Sequence, residues 1–203
     1  MNSKPLLEVN KLNVRYQTQD GEIHAVADVS FKVFSNEVFG IAGESGCGKS
    51  TLIKAIMRLL PENAKMDAHS IKYKDQEIDC MSENIFRKDV LWTQISLVPQ
   101  SAMNSLNPVY KVGEQIVEAI QTHTSQGKKE ARERVEELFD VVGLQSEFMD
   151  SFPHEFSGGM RQRAMIAMAL ALDPGLIVMD EPTTGLDVLV QERILRRIRE
   201  IRK

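Results

Sequence analysis

Apolar and polar residues alternate along positions 6–16 and again along 23–33, with Gln19-Asp20-Gly21 between them as a turn signal. Alternation puts every second side chain on one face, so the two stretches predict an antiparallel hairpin. The apolar run Phe39-Gly40-Ile41-Ala42 predicts a strand, and positions 51–60 space their apolar residues as a helix does. From 61 to 89 the chain is polar and irregular, with a short strand signal at 70–73, and a further strand is predicted at 95–98. Helical periodicity then dominates 112–122 and 128–142, with Gln126-Gly127-Lys128-Lys129 as the intervening loop and Gly143 as a C-terminal cap. Leu176-Ile177-Val178-Met179 is a continuous apolar run, the pattern of a strand buried on both faces of a parallel sheet. The sum is an α/β fold.

Composition narrows the setting. With 203 residues, 42% of them hydrophobic, the chain can bury a substantial core but falls short of two ordinary domains, so one soluble, cytoplasmic domain is expected. A net charge of -4 argues against a dedicated nucleic-acid binder. The longest strongly apolar stretch, 164–172, is far below the roughly 18 residues needed to cross a bilayer, and the N-terminus has no secretory apolar region. A membrane role therefore has to run through a partner. Cys47 and Cys80 form neither a disulfide framework nor a metal-ligand pattern. Cys47 reads as a small loop residue, with redox sensing as the alternative.

The candidate chemistry begins at Gly43-Glu44-Ser45-Gly46-Cys47-Gly48-Lys49-Ser50, a full match to the phosphate-binding pattern G-x-x-x-x-G-K-[ST]. Glycines let consecutive backbone N–H groups turn toward phosphate oxygens, Lys49 brings a charge to the β- and γ-phosphates, and the Ser50 hydroxyl is suited to Mg²⁺. A helix opening at Thr51 would add its positive dipole end. Asp180 and Glu181 end the apolar run at 176–179, where a parallel sheet collects its ligands. Asp180 suits the Mg²⁺ shell, and Glu181 is placed to polarise an attacking water. Both carboxylates could instead cap the turn at Pro182–Gly185.

A third motif, Phe156-Ser157-Gly158-Gly159-Met160-Arg161-Gln162-Arg163, resembles the signature of ATP-binding cassette (ABC) ATPases and lies between the other two. By this resemblance the chain is similar to that family over nearly its whole length, with 6–203 as the nucleotide-binding domain. The resemblance implies a P-loop NTPase (RecA-like) core, an N-terminal antiparallel β-subdomain and a helical subdomain inserted at about 101–165. It further implies that Tyr16 stacks on adenine, that Gly43 through Thr51 hold the phosphates, and that Gln100 contacts the Mg²⁺ and water region. Ser157, Gly158 and Gly159 would complete the ATP site of a second cassette packed head to tail, with Asp187 at that interface. Lys49, Gln100 and Glu181 are then the catalytic set, Ser50, Gln100 and Asp180 the metal set, and ATP and Mg²⁺ the cofactors.

Pro99-Gln100-Ser101-Ala102-Met103-Asn104-Ser105-Leu106-Asn107-Pro108 resembles the corresponding region of the ATPase subunits of dipeptide, oligopeptide and nickel importers, as does Met160 in the signature. That implies integral membrane permeases as partners, a second ATPase subunit that is a copy or a paralogue, an extracellular solute-binding protein acting indirectly, and no nucleic acid. The location implied is the cytoplasmic face of the cell membrane. Sugar importers of related type stay within reach of these motifs. The alternative is a soluble ABC ATPase of DNA repair or translation, although the first needs long coiled coils between its motifs and the second two cassettes in one chain. In one respect the sequence departs from the pattern. The family's switch histidine and the strand before it would lie beyond Lys203, and His24, His69, His123 and His154 are misplaced for that role. A truncated chain is expected, one that binds ATP but hydrolyses it poorly.

Overall fold

The structure, a computed structural model, describes residues 4–100, 105–182 and 192. The chain forms two compact units, Met1–Arg87 and Lys88–Lys203.

The first unit is built on the hairpin. Strands β1 (Pro5–Thr18) and β2 (Gly21–Phe34) pair antiparallel from Pro5↔Phe34 to Thr18↔Gly21, so the two-residue turn falls where the sequence places it. Gly21 takes φ 128, which only glycine adopts readily. Strict alternation fails in β1, because Val9 and Leu12 are both fully buried. A register shift between them, with Lys11 at φ 48, switches the inward face by one residue. Helix α1 (Lys49–Ile56) packs Leu52, Ile53, Ala55 and Ile56 inward and touches β1 and β2. Strands β3 (Ala64–Asp67) and β4 (Ser70–Tyr73) both pair antiparallel with β1, and β5 (Gln76–Glu77) pairs with β4. Ser82 caps the short α2 (Glu83–Ile85), its Oγ accepting from Ile85 N.

The second unit holds β6 (Ile95–Val98), α3 (Val112–His123), α4 (Lys128–Val141), α5 (Gly158–Leu170) and β7 (Leu176–Met179), with β6 and β7 parallel and in register from Ile95↔Leu176 to Val98↔Met179. Ile116, Ile120, Val135, Phe139 and Ile166 lead the helical core, each stabilising the fold by roughly 1.5–3 kcal/mol on burial. Gly143 at φ 70 ends α4 as expected, with Leu144 N donating to Phe139 O and Gly143 N to Asp140 O. Gly113 admits the 146–150 turn, since a Cβ there would lie 2.8 Å from Met149 O.

Three expectations change. Residues 39–42 form no strand: no described strand lies beside them to take their backbone hydrogen bonds. Phe39 instead stacks on Phe31 of β2 at 5.1 Å, and Ile41 is 42% exposed. β7 is half-buried rather than covered on both faces, pairing only with β6 among the described residues. Helix α1 starts at Lys49 and stops at Ile56 instead of running 51–60, because Arg58 takes the left-handed conformation, φ 54, that ends a helix.

Candidate functional site

In the first unit the loop from Gly43 to Gly48 curls over the N-terminus of α1. Gly46 and Gly48 take φ 81 and φ 95, and Gly48 is the N-cap. A Cβ on Gly48 would lie 2.2 Å from the carbonyl oxygen of Ala25 on β2, so the loop closes onto the hairpin only because that residue has no side chain. A Cβ on Gly43 would lie 2.6 Å from Cys47 Sγ, so a side chain there would displace the Cys47 thiol. Lys49 Nζ donates to the carbonyls of Gly43 and Glu44, both at 2.8 Å, and lies 3.7 Å from Cys47 Sγ. The first turn of α1 carries no acidic residue, so the dipole's positive end is not neutralised from within the helix. Ser45 is exposed, and Ser50 and Thr51 lie in the first turn of α1. Tyr16 Oη sits 3.4 Å from Thr51 Oγ1, which sets an aromatic ring from β1 beside the loop's helix.

In the second unit β6 and β7 run out together, and the backbone carries the pairing one step further, Asp180 N donating to Val98 O at 3.0 Å. Gln100, Asp180 and Glu181 therefore stand at one end of the parallel pair. Asp180 is 8% exposed. Glu181 is exposed and adopts φ 48, a conformation that costs a non-glycine residue about 1–3 kcal/mol and often marks a functional position. Gln100 Nε2 donates to Glu181 Oε2 at 3.0 Å.

The same unit contains the signature. Ser157 caps α5, its Oγ accepting from Met160 N at 3.2 Å, and Gly158 and Gly159 form the first turn, again with no acidic residue. Arg161 donates to the carbonyls of Pro153 and Phe156, at 3.2 and 2.9 Å, and so holds the approach to Ser157. Further off, the Arg132 hydrogen bond and the nearby Lys111 hold the Asp150 carboxyl below its ordinary value. Asp187 lies outside the described residues.

Among the described residues no three His, Cys, Asp or Glu side chains gather as a metal site. Ser50 in the first unit, and Gln100 and Asp180 beyond the paired β6 and β7 in the second, each carry an oxygen donor of the kind Mg²⁺ takes, and that ion keeps waters and substrate phosphates as ligands rather than entering an all-protein cage. No described helix is long and apolar enough to cross a membrane. Sequence reasoning missed two contributors: the Ala25 carbonyl under Gly48 and the Gln100–Glu181 bond. Neither has a local signal, since each depends on a contact distant in sequence.

Comparison with known proteins adds a family. A family model described as ABC transporter matches residues 26–184. The dipeptide transport ATP-binding protein DppD of Bacillus subtilis is 41% identical over 98% of the chain, and the oligopeptide transport ATP-binding protein OppD of Salmonella typhimurium is 43% identical, also over 98%. The chain spans 60% and 59% of their lengths. Among solved structures, a dimeric post-hydrolysis state of the ATP-binding cassette MJ0796 bound to ADP and Pi superposes with a TM-score of 0.86 at 25% identity, over 97% of this chain and 83% of that one.

Proposed function

The chain belongs to the ABC transporter family, and from that premise we propose that it is the ATP-binding and ATP-hydrolysing part of an importer of dipeptides, oligopeptides or related small solutes. The observation that carries the reading is the loop of the first unit: a backbone cradle closed by Gly48 on Ala25 O, with Lys49 at its centre and the positive end of α1 beneath it. That arrangement is suited to the phosphates of a nucleotide.

Each residue has a role within this proposal. The loop amides and Lys49 bind the phosphates, Tyr16 stacks on the base, and the Ser50 hydroxyl is a metal ligand. In the second unit Asp180 and Gln100 serve the metal shell, while Glu181 orients and polarises water. Bound Mg²⁺ would neutralise charge developing on the transferred phosphoryl group. The protein's own contribution is positioning and fixed charge rather than covalent chemistry. Ser157, Gly158 and Gly159 offer a second anion-binding helix start for the triphosphate of a partner cassette, with Asp187 at that interface.

The partners proposed are integral permeases and a second cassette, the same chain or a paralogue, with a solute-binding protein acting on the permeases and the whole at the cytoplasmic face of the membrane. The dipeptide and oligopeptide transport named for the two relatives supports peptide import over the repair or translation alternative. Binding of mant-ATP with Mg²⁺ tests the central step. Lys49→Ala should weaken it by about tenfold or more, the worth of one charge-assisted contact. Equal affinity in the variant would remove the loop from the role.

A further inference from the structure

Helix α1 has two ends, and only the first is accounted for by nucleotide. At the other, Arg58 N donates to Ala55 O and Leu59 N to Lys54 O, the bond pair that closes a helix around one left-handed residue. That residue is Arg58, at φ 54, where glycine is the usual occupant. A long charged side chain in a position built for glycine has to return something for the strain. Here the side chain is 15% exposed, and its guanidinium donates to the backbone carbonyls of Ile78, Asp79 and Met81. It also lies 4.5 Å from the centre of the Phe86 ring and 3.9 Å from the Glu83 carboxylate. Asp79 Oδ1 accepts from Ile71 N on β4, tying the same segment to the sheet.

We infer that Arg58 is a positioning residue that couples the nucleotide loop to the 78–86 segment, the stretch of chain that leads out of the first unit. Helix α1 is only about 12 Å long at 1.5 Å per residue, so a ligand that steadies Lys49 and Ser50 at one end steadies Arg58 at the other. The planar fork of an arginine can hold three carbonyls and an aromatic face at once, which a lysine ammonium on a flexible stem does not reproduce. Coupling carried by such a continuous hydrogen-bonded chain is expected to appear as a change in local stability. The inference rests on the nucleotide reading above and extends it to a site with no contact to the ligand.

The test is backbone hydrogen exchange of the chain with and without mant-ATP and Mg²⁺, read over residues 78–86, for the unsubstituted protein, Arg58→Gly and Arg58→Lys. Glycine relieves the left-handed strain, so a mere helix terminator would tolerate it or gain from it. The expected result is that nucleotide slows exchange in 78–86 by about fivefold or more in the unsubstituted chain. Both variants should keep mant-ATP affinity within about threefold and lose most of that slowing. Should Arg58→Gly fail to fold, Arg58→Lys decides alone. Slowing undiminished in a folded variant overturns the inference, as does binding of mant-ATP by the unsubstituted chain without any change in 78–86. Failure of the unsubstituted chain to bind mant-ATP would overturn the nucleotide reading itself, and the inference with it.

Discussion

The side-chain amide of Gln100 donates to the carboxylate of Glu181 at 3.0 Å across a separation of 81 positions in the chain. Parallel pairing of β6 with β7 produces this contact, because it brings the residues after Val98 and Met179 to the same end. An amide donor orients a carboxylate without protonating it, so Glu181 stays able to accept a proton or a hydrogen bond from water. Glu181→Gln keeps an acceptor for Gln100 and removes only the charge. In the intact protein, ATP turnover is expected to fall by about 100-fold or more, with mant-ATP binding retained within a few-fold. Phosphate release assays and fluorescence titration together check this, and undiminished turnover would take Glu181 out of the catalytic set.

Gly48 is the position where the loop's geometry is least forgiving. Alanine there meets the Ala25 carbonyl at 2.2 Å and must also hold φ 95, so Gly48→Ala should cost about 2 kcal/mol or more and abolish mant-ATP binding. Gly46→Ala is the control. It shares a positive φ of 81 but finds nothing within 4 Å, so its cost should stay near 1 kcal/mol, the left-handed penalty alone. Urea unfolding of both variants gives the comparison, and equal losses would mean that the packing on Ala25 is unimportant.

What could be read from the chain were features with a local physical cause. The hairpin was legible because alternation and a Gly-terminated turn act within a few residues, and Gly143 because a left-handed helix end favours glycine. Residues 39–42 show the opposite case. Their apolar character predicts a strand, but a strand exists only beside another, and no described strand neighbours them. The end of α1 was misplaced because Leu59 and Leu60 continue the apolar pattern, while Arg58 stops the helix through contacts with carbonyls at least 20 residues away. Motif residues could be identified in advance, but the bonds between them could not.

Tyr16 separates two contributions that a single substitution would confuse. Its ring is the proposed platform for the base, and its hydroxyl lies 3.4 Å from Thr51 Oγ1. Tyr16→Phe keeps the ring and should leave mant-ATP affinity within about threefold, whereas Tyr16→Ala should lose roughly 1–3 kcal/mol of stacking, about 5- to 150-fold in affinity. Equal losses in the two variants would show that the hydroxyl contact matters and the stacking does not.

Asp150 gives the second unit a definite pH dependence. It accepts from Arg132 at 2.6 Å and faces Lys111 at 3.5 Å, joining the 146–150 turn to α4 and to the residue that precedes α3. The Arg132 bond comes first among the causes that hold its carboxyl below the ordinary 3.8. Because the folded form binds its proton less readily than the unfolded form, the contribution is fully present above the ordinary value. It is lost as the pH falls through that value and then through the lowered one. With Asp150 51% and Arg132 41% exposed, water and salt screen the pair, so Asp150→Asn should cost only about 0.2–1 kcal/mol at neutral pH. Urea unfolding in low salt should show that difference at pH 7 and a shrinking one on acidification. A difference unchanged in acid would mean that Asp150 acts through packing rather than through its charge.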